Sequence, residues 1–244
     1  MGRRHRLTTR TRGHFVTFEG GEGAGKSTQV LLLGEALRRS GREKPVLTRE
    51  PGGSAGAEDI RRLLVTGNSE RWDGVTEALL HCAARRDHLI RTIWPALVAG
   101  RWVLCDRFAD SMHAYQGSGH GVAEARLHDL TALVAGDFRP DVTIILDLPP
   151  QMGLERAHAA LRGKGGERRY EHMGLSFHHR VRQAFQTIAA AEPVRCIVVD
   201  ASGNISDVHA AVRRAVAERL GVDLPDARHL CEWQSGMPSP ERPT

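Results

Sequence analysis

The sequence has no hydrophobic run long enough to cross a membrane. Among its longest apolar stretches is VTIILDL at residues 142–148, whereas a membrane-spanning helix needs about 20 apolar residues. The basic start of the chain also lacks the apolar segment of a secretory signal. We therefore expect no membrane partner and predict a cytoplasmic location.

Cysteines are few and lie far apart, at positions 82, 105, 196 and 231. No two of them form a C-x-x-C pair, and the chain shows no metal-ligand spacing. Cys105 and Cys196 lie in apolar, strand-like runs, where cysteine behaves as a small core residue. The pattern argues against a disulfide framework and favours a reducing compartment.

Positive charge is confined to one end of the chain. The first 12 residues hold five arginines and no acid, and these arginines equal the whole net charge of +5. The remainder has no excess of basic residues, so we expect no nucleic-acid partner. We predict a disordered basic tail at residues 1–13, one folded domain at 14–222, and a disordered polar tail at 223–244.

Short β-branched runs alternate with helical patterns between these tails. Strands are predicted at residues 14–19, 45–50, 101–106, 142–148 and 195–200. Most are nearly continuous apolar runs, as in strands buried on both faces of a parallel sheet. Helical periodicity between them predicts a doubly wound α/β sheet flanked by helices. We expect Pro95 to break or kink the helix predicted from residue 76.

Residues 15–29, FVTFEGGEGAGKSTQ, contain the pattern G-x-x-x-x-G-K-[ST] between a predicted strand and a predicted helix. The glycines let backbone N–H groups wrap around phosphate, and the helix N-terminus adds partial positive charge. We expect Lys26 to contact the terminal phosphates and Ser27 to coordinate Mg²⁺. The predicted nucleotide-binding residues are Gly20, Gly21, Glu22, Gly23, Ala24, Gly25, Lys26, Ser27 and Thr28.

A phosphate-binding loop indicates a nucleotide but does not identify the reaction. GTPases, motor ATPases and small-molecule kinases all contain one. The guanine-reading pattern N-K-x-D is absent, which argues against a GTPase, and no ABC-type signature is present. The phosphate acceptor must therefore be inferred from other motifs.

Two further motifs follow predicted strands, at the edge where parallel sheets bind ligands. TREPGGS, at residues 48–54, places the cation of Arg49 beside a Pro-Gly-Gly turn. DRFADSMHAYQGSG, at residues 106–119, begins with Asp106, which is placed to hold Mg²⁺ through water. Arg107 then faces the acceptor.

A third motif, LLHCAARRDH, lies on a predicted helix, where His81 and Arg85 share a face and can grip a base and its phosphate. Together with DFRPDVTIILDL and RYE…FHHRVRQAF, these motifs closely resemble bacterial thymidylate kinases, from about Phe15 to about Leu220. The resemblance implies a five-stranded sheet, a short basic lid at about 162–172 and a homodimer. It also implies transfer of the γ-phosphate of ATP to dTMP, with Mg²⁺.

The resemblance also implies roles for individual residues. Glu22 accepts a hydrogen bond from the 3′-hydroxyl of the acceptor sugar. Arg49 and Arg107 hold the acceptor phosphate, and Arg85 lies near both phosphate and base. The loop at residues 20–27 contains no arginine, so the lid must supply a catalytic one. The expected catalytic residues are Lys26, Asp106, Arg107, Arg162 and Arg168, with Lys164 and Arg169 as further lid candidates.

The expected base pocket departs from the family pattern. Ser111 and Gln116 are expected to read the base edge, and Tyr115 to pack against the sugar. The family's stacking phenylalanine is His81 here, and Met112 takes a position that is commonly small or polar. These changes keep open a kinase for another or modified deoxypyrimidine monophosphate. A nucleotide-binding regulator without turnover is a further alternative, but it would require a broken catalytic set.

The lid also departs from the family pattern. An acid is usual before the lid's R-x-E sequence, and Arg168 takes that position here. The change adds a positive charge to a segment that is already basic.

Overall fold

A computed structural model describes residues 12–67, 71–160, 170 and 173–225. The predicted basic tail up to residue 11 and the C-terminal tail from residue 226 lie outside the described residues. So does most of the predicted lid, including Arg162 and Arg168. In the described part of the chain, no helix is long and apolar enough to cross a membrane.

Five strands form one parallel sheet in the order β2-β3-β1-β4-β5. They are β1 (Phe15–Glu19), β2 (Val46–Arg49), β3 (Val103–Asp106), β4 (Val142–Asp147) and β5 (Cys196–Asp200). Each lies within one of the five predicted segments. The chain adds β2 and β3 on one side of β1, then β4 and β5 on the other, which confirms the doubly wound sheet.

Helices cover both faces of this sheet. In the described residues they are α1 (Lys26–Arg39), α2 (Ala55–Val65), α3 (Gly74–His88), α4 (Trp94–Val98), α5 (Ala109–Met112), α6 (Glu124–Ala135), α7 (Pro150–Ala160), α8 (Leu175–Ala191) and α9 (Ile205–Leu220). The ends of α9 match the sequence prediction. The Asn204 side chain accepts the N–H of Asp207, and Gly221 adopts the left-handed conformation at φ 62°.

The expected break at Pro95 does not occur. A π-helical turn at Leu89–Ile93 joins α3 directly to α4, which continues through Pro95 to Val98. Proline lacks the N–H that an α-helical interior would use. The π-helical turn leaves Pro95 at the start of α4, where a missing N–H is tolerated, so the predicted break was wrong.

Burial follows the position of each strand in the sheet. All residues of the central strand β1 are buried, whereas the edge strand β2 alternates between intermediate and exposed residues. Val16 and Phe18 face a core packed by α1 and α9, and Phe15 faces a second core beneath the helical segment that begins at α3. The apolar pattern of β1 therefore reflects contact on both faces.

Parallel pairing brings the ends of the strands to one level. Asp106 of β3 pairs in register with Phe18 of β1 and with Arg49 of β2. The residues that follow these strands consequently meet at the carboxyl edge of the sheet, where ligands bind in such folds.

Candidate active site

The loop after β1 has the backbone conformation of a phosphate cradle. Gly25, at φ 88°, precedes the first residue of α1, so the helix N-terminus points into the loop. Gly23 also has positive φ, and a side chain there would collide with the carbonyl of Gly153 on α7. Gly153 is not among the predicted site residues, and its only signal in the sequence is a glycine within a helical pattern.

The Lys26 side chain folds back into this loop. Its ammonium donates to the carbonyls of Gly20, at 3.1 Å, and Gly21, at 2.7 Å. Burial, together with repulsion from Arg107, lowers the pKa of Lys26 to about 8. Phosphate oxygens entering the cradle would replace these carbonyls as acceptors.

Ser27 and Asp106 lie in direct contact. The Ser27 hydroxyl, in the first turn of α1, donates to the Asp106 carboxylate at the end of β3. A hydroxyl and a carboxylate are hard oxygen ligands of the kind that Mg²⁺ prefers. The pair therefore fits the predicted metal position chemically.

Arg107 is the centre of the contacts between the cradle and the acceptor side. Its guanidinium donates to Glu22 at 2.8 Å, to the Tyr115 hydroxyl at 3.1 Å, and to Ser111 and the Gly20 carbonyl at 3.2 Å. Its φ is 68°, which is rare for a residue with a side chain and marks local strain. Such strain commonly accompanies a functional position.

Glu22 receives two donors. The Tyr115 hydroxyl and Arg107 each donate to it at 2.8 Å. Burial alone would raise the pKa of Glu22, but Arg107 and Lys26 lower it to about 2. The carboxylate is therefore ionised and can accept a further hydrogen bond.

Glu19 is a buried carboxylate that is not among the predicted site residues. It ends β1 and accepts the backbone N–H of Phe108 at 2.7 Å and the Ser111 hydroxyl at 2.5 Å. Burial, reinforced by Asp110, raises the pKa of Glu19 to about 7. The hydroxyl proton of Ser111, the expected base reader, is directed to Glu19. The signal in the sequence that could have identified Glu19 is an acidic residue at the end of an apolar strand, directly before the glycine-rich loop.

Arg85 lies in a buried ionic cluster beneath the acceptor side. Its side chain is 2% exposed and donates to Glu50 at 2.7 Å and to the Phe108 carbonyl at 3.1 Å. His88 contacts Glu50 at 3.1 Å and Thr48 at 2.8 Å through its two ring nitrogens. Burial would raise the pKa of Glu50, but Arg85 and His88 lower it. Neither Glu50 nor His88 is among the residues predicted from the sequence.

Arg49 contrasts with Arg85, since half of its side chain is exposed. It donates to both oxygens of Glu58 on α2 at 3.1 Å. An exposed pair of this kind is weak, so Arg49 can exchange its partner for a ligand phosphate.

One cavity of about 230 Å³ brings these elements together. The predicted residues that line it are Glu22, Ser27, Arg49, His81, Arg85, Asp106, Arg107, Ser111, Tyr115 and Gln116. Met112 lines it as well, although its side chain is almost fully buried and its sulfur lies 3.9 Å from Arg85. Tyr115 and Gln116 lie on the π-helical segment His113–Gly119, a conformation often found at functional sites.

Comparison with known proteins decides the family. The family model described as thymidylate kinase matches residues 18–212. The chain belongs to the thymidylate kinase family. A thymidylate kinase from Caulobacter vibrioides is 50% identical over 212 residues, covering 87% of this chain and 100% of that one. A relative from Rhodopseudomonas palustris is 51% identical over 211 residues, covering 86% of this chain and 91% of that one.

A solved structure supports the same assignment. The crystal structure of thymidylate kinase from Ehrlichia chaffeensis superposes with a TM-score of 0.68 at 35% identity. It covers 84% of this chain and 99% of that chain. Membership of this family makes the protein a nucleoside monophosphate kinase, and the sheet described above is the P-loop kinase fold.

Proposed function

We propose that the protein transfers the γ-phosphate of ATP to dTMP, giving dTDP and ADP. The contact that carries the proposal is the bond from Arg107 to Glu22, which joins the phosphate cradle to the cavity beside it. About half of the residues are identical to those of curated thymidylate kinases over most of the chain.

The donor nucleotide is assigned to the loop at residues 20–28. Its backbone N–H groups and the start of α1 would hold the phosphates, and Lys26 would contact the terminal ones. The Lys26 ammonium already lies among the loop carbonyls, so it needs little reorganisation to bind them.

Magnesium is assigned to the Ser27–Asp106 pair. Ser27 would bind the ion directly and Asp106 would hold it through water, which separates two side chains that are now in contact. Held there, Mg²⁺ would supply positive charge that offsets the negative charge of the transferring phosphoryl group.

The acceptor phosphate is assigned to the arginines of the cavity. Arg107 would hold it beside the cradle and Arg49 from the rim, while Arg85, which is buried, would lie near both phosphate and base. Glu22, ionised and pointing toward Tyr115, would accept the sugar 3′-hydroxyl. Tyr115 would pack against the sugar ring and disfavour a ribose.

Transfer then needs positioning and charge neutralisation but no covalent enzyme intermediate. Two polyanions must approach, and the arginines offset their repulsion. The described part of the loop and cavity supplies Lys26 and Arg107. A further arginine from the lid, Arg162 or Arg168, stays a prediction, as do the homodimer and the cytoplasmic location.

A second candidate function keeps the fold and changes the acceptor base. His81 and Met112 both line the cavity at the positions where the sequence departs from the family. An imidazole is smaller and more polar than a phenyl ring, so base preference is the property that this change should affect most.

The test is an ADP-release assay with ATP and Mg²⁺ against dTMP, dUMP, dCMP, UMP, dGMP and dAMP. We expect the highest kcat/KM with dTMP. A higher kcat/KM with another acceptor would mean that the protein is a kinase for that nucleotide instead. If no ADP is released with any of these acceptors although ATP binds, the result would favour the nucleotide-binding regulator without turnover.

A further inference from the structure

Behind Gln116 and Tyr170, which line the cavity, lies a buried carboxylate to which the proposed reaction assigns no role. Glu77 lies on α3 and has no exposed surface. Its Oε2 accepts the Gln116 amide at 2.9 Å and the Tyr170 hydroxyl at 3.1 Å. The His120 ring lies 3.7 Å from the same oxygen. A carboxyl group this deeply buried needs hydrogen-bond partners, and here they come from residues that line the cavity.

These contacts fix which way the Gln116 amide is turned. The single hydroxyl proton of Tyr170 goes to Glu77, so the Tyr170 oxygen accepts from Gln116, at 3.3 Å. Both neighbours of that end of the amide are therefore acceptors, and the atom that faces them must be the nitrogen, Nε2. Because Gln116 lines the cavity, its carbonyl Oε1 is the amide atom left for a ligand.

We propose that Glu77 and Tyr170 are positioning residues that hold Gln116 as a hydrogen-bond acceptor toward the base and so select 4-oxo pyrimidines. The inference rests on the proposed function and adds to it a physical basis for base choice. Thymine and uracil carry a proton on N3 and can donate to Oε1. Cytosine carries a lone pair on N3, so two acceptors would face each other in a buried site.

Glu77→Gln is the direct test, because it keeps the shape but lets residue 77 donate as well as accept. The Gln116 amide can then turn and present N–H groups to N3 of cytosine. We expect the ratio of kcat/KM for dTMP to that for dCMP to fall about tenfold, mainly through KM. The dTMP to dUMP ratio and the KM for ATP should not change, because both bases carry N3–H.

Tyr170→Phe is a second, milder test that keeps the Glu77 carboxylate in place and removes only the hydroxyl that donates to it. It removes one of the two acceptors that face Nε2, so the dTMP to dCMP ratio should fall about threefold. Glu218→Gln, on the exposed face of α9, is the matched control and should change neither ratio. This variant pair keeps the test valid if Glu77→Gln does not fold.

Equal losses with all three pyrimidine nucleotides would overturn the proposal, because they would indicate a merely structural role. An unchanged dTMP to dCMP ratio in both variants would also overturn it. Calorimetric binding of dTMP, dUMP and dCMP to the wild-type protein and the variants gives the same ratios without turnover. The kinetics of the wild-type protein with dTMP test the proposed kinase activity itself. Failure of that proposal can therefore be distinguished from failure of the positioning role proposed for Glu77 and Tyr170.

Discussion

The two halves of the candidate active site are built in different ways. The donor half, the loop at residues 20–28 proposed to bind ATP, is local. In it Lys26 donates to carbonyls five and six residues before it. The acceptor half, the cavity proposed to bind dTMP, is assembled from distant elements. For example, Arg85 of α3 donates to Glu50, which directly follows β2 and lies 35 residues away along the chain. A local site can be recognised by spacing, whereas an assembled site depends on partners that spacing does not reveal.

Two glutamates three residues apart show the same contrast. Glu22, in the loop, faces Arg107 and Lys26, and its pKa is lowered to about 2 despite burial. Glu19, at the end of β1, is buried beside Asp110, and its pKa is raised to about 7. Position in the fold, rather than residue type, sets the charge of each.

The largest expected effect comes from breaking the buried pair of the acceptor half. Arg85→Met leaves Glu50 buried without its cation, so the free energy of unfolding should fall by about 3–5 kcal/mol. Urea denaturation measures this change. Arg49→Met, at an exposed ion pair, should change it by less than about 1 kcal/mol. The double variant Arg85→Met with Glu50→Leu should recover much of the loss, and no recovery would contradict the pair as its cause.

In the donor half, Lys26→Ala should act on rate rather than on stability. Loss of a cation directed at the transferring phosphoryl group should lower kcat about 10²- to 10³-fold. The melting temperature should not fall, since a buried ammonium with a lowered pKa costs stability. Lys44→Ala, an exposed lysine before β2, is the matched control. Full activity in Lys26→Ala would contradict the assignment of the loop at residues 20–28 to phosphate binding.

The pH dependence of stability should separate the two glutamates. The raised pKa of Glu19 makes stability fall as pH rises from about 4.5 to about 7. The lowered pKa of Glu22 makes stability fall as pH drops from about 4.5 toward 2. Each slope approaches about 1.4 kcal/mol per pH unit.

Substitution assigns each slope to its residue. Glu19→Gln should flatten the curve of unfolding free energy between pH 4.5 and 7, and Glu22→Gln should flatten it below pH 4.5. Urea denaturation from pH 3 to 8 measures both curves. Identical curves for the two variants would contradict their opposite environments.

The smallest expected effect is at the base. His81→Phe restores an apolar ring to the cavity wall, so the KM for dTMP should fall about 3- to 10-fold, with little change in kcat. Steady-state kinetics with saturating ATP measure this change. His158→Phe, on the exposed face of α7, should have no effect. An unchanged KM in His81→Phe would mean that His81 does not contact the base.

Much of the fold could be predicted because its signals are local. The five strands, the Asn204 cap and the Gly221 end of α9 follow from apolar runs and single capping residues. The two π-helical segments could not be predicted, because their backbone register depends on packing against neighbouring elements. The break expected at Pro95 was wrong for this reason.

The sequence by itself determined the glycine-rich loop proposed to bind phosphate, the succession of strands and helices along the chain, and the family, because each is carried by short motifs of neighbouring residues. Only the tertiary structure decided which charges are buried and paired. Glu19, Glu50 and Glu77 look like ordinary acids in the sequence. Their partners come from segments far away along the chain, and a buried charge takes its role from the groups packed around it.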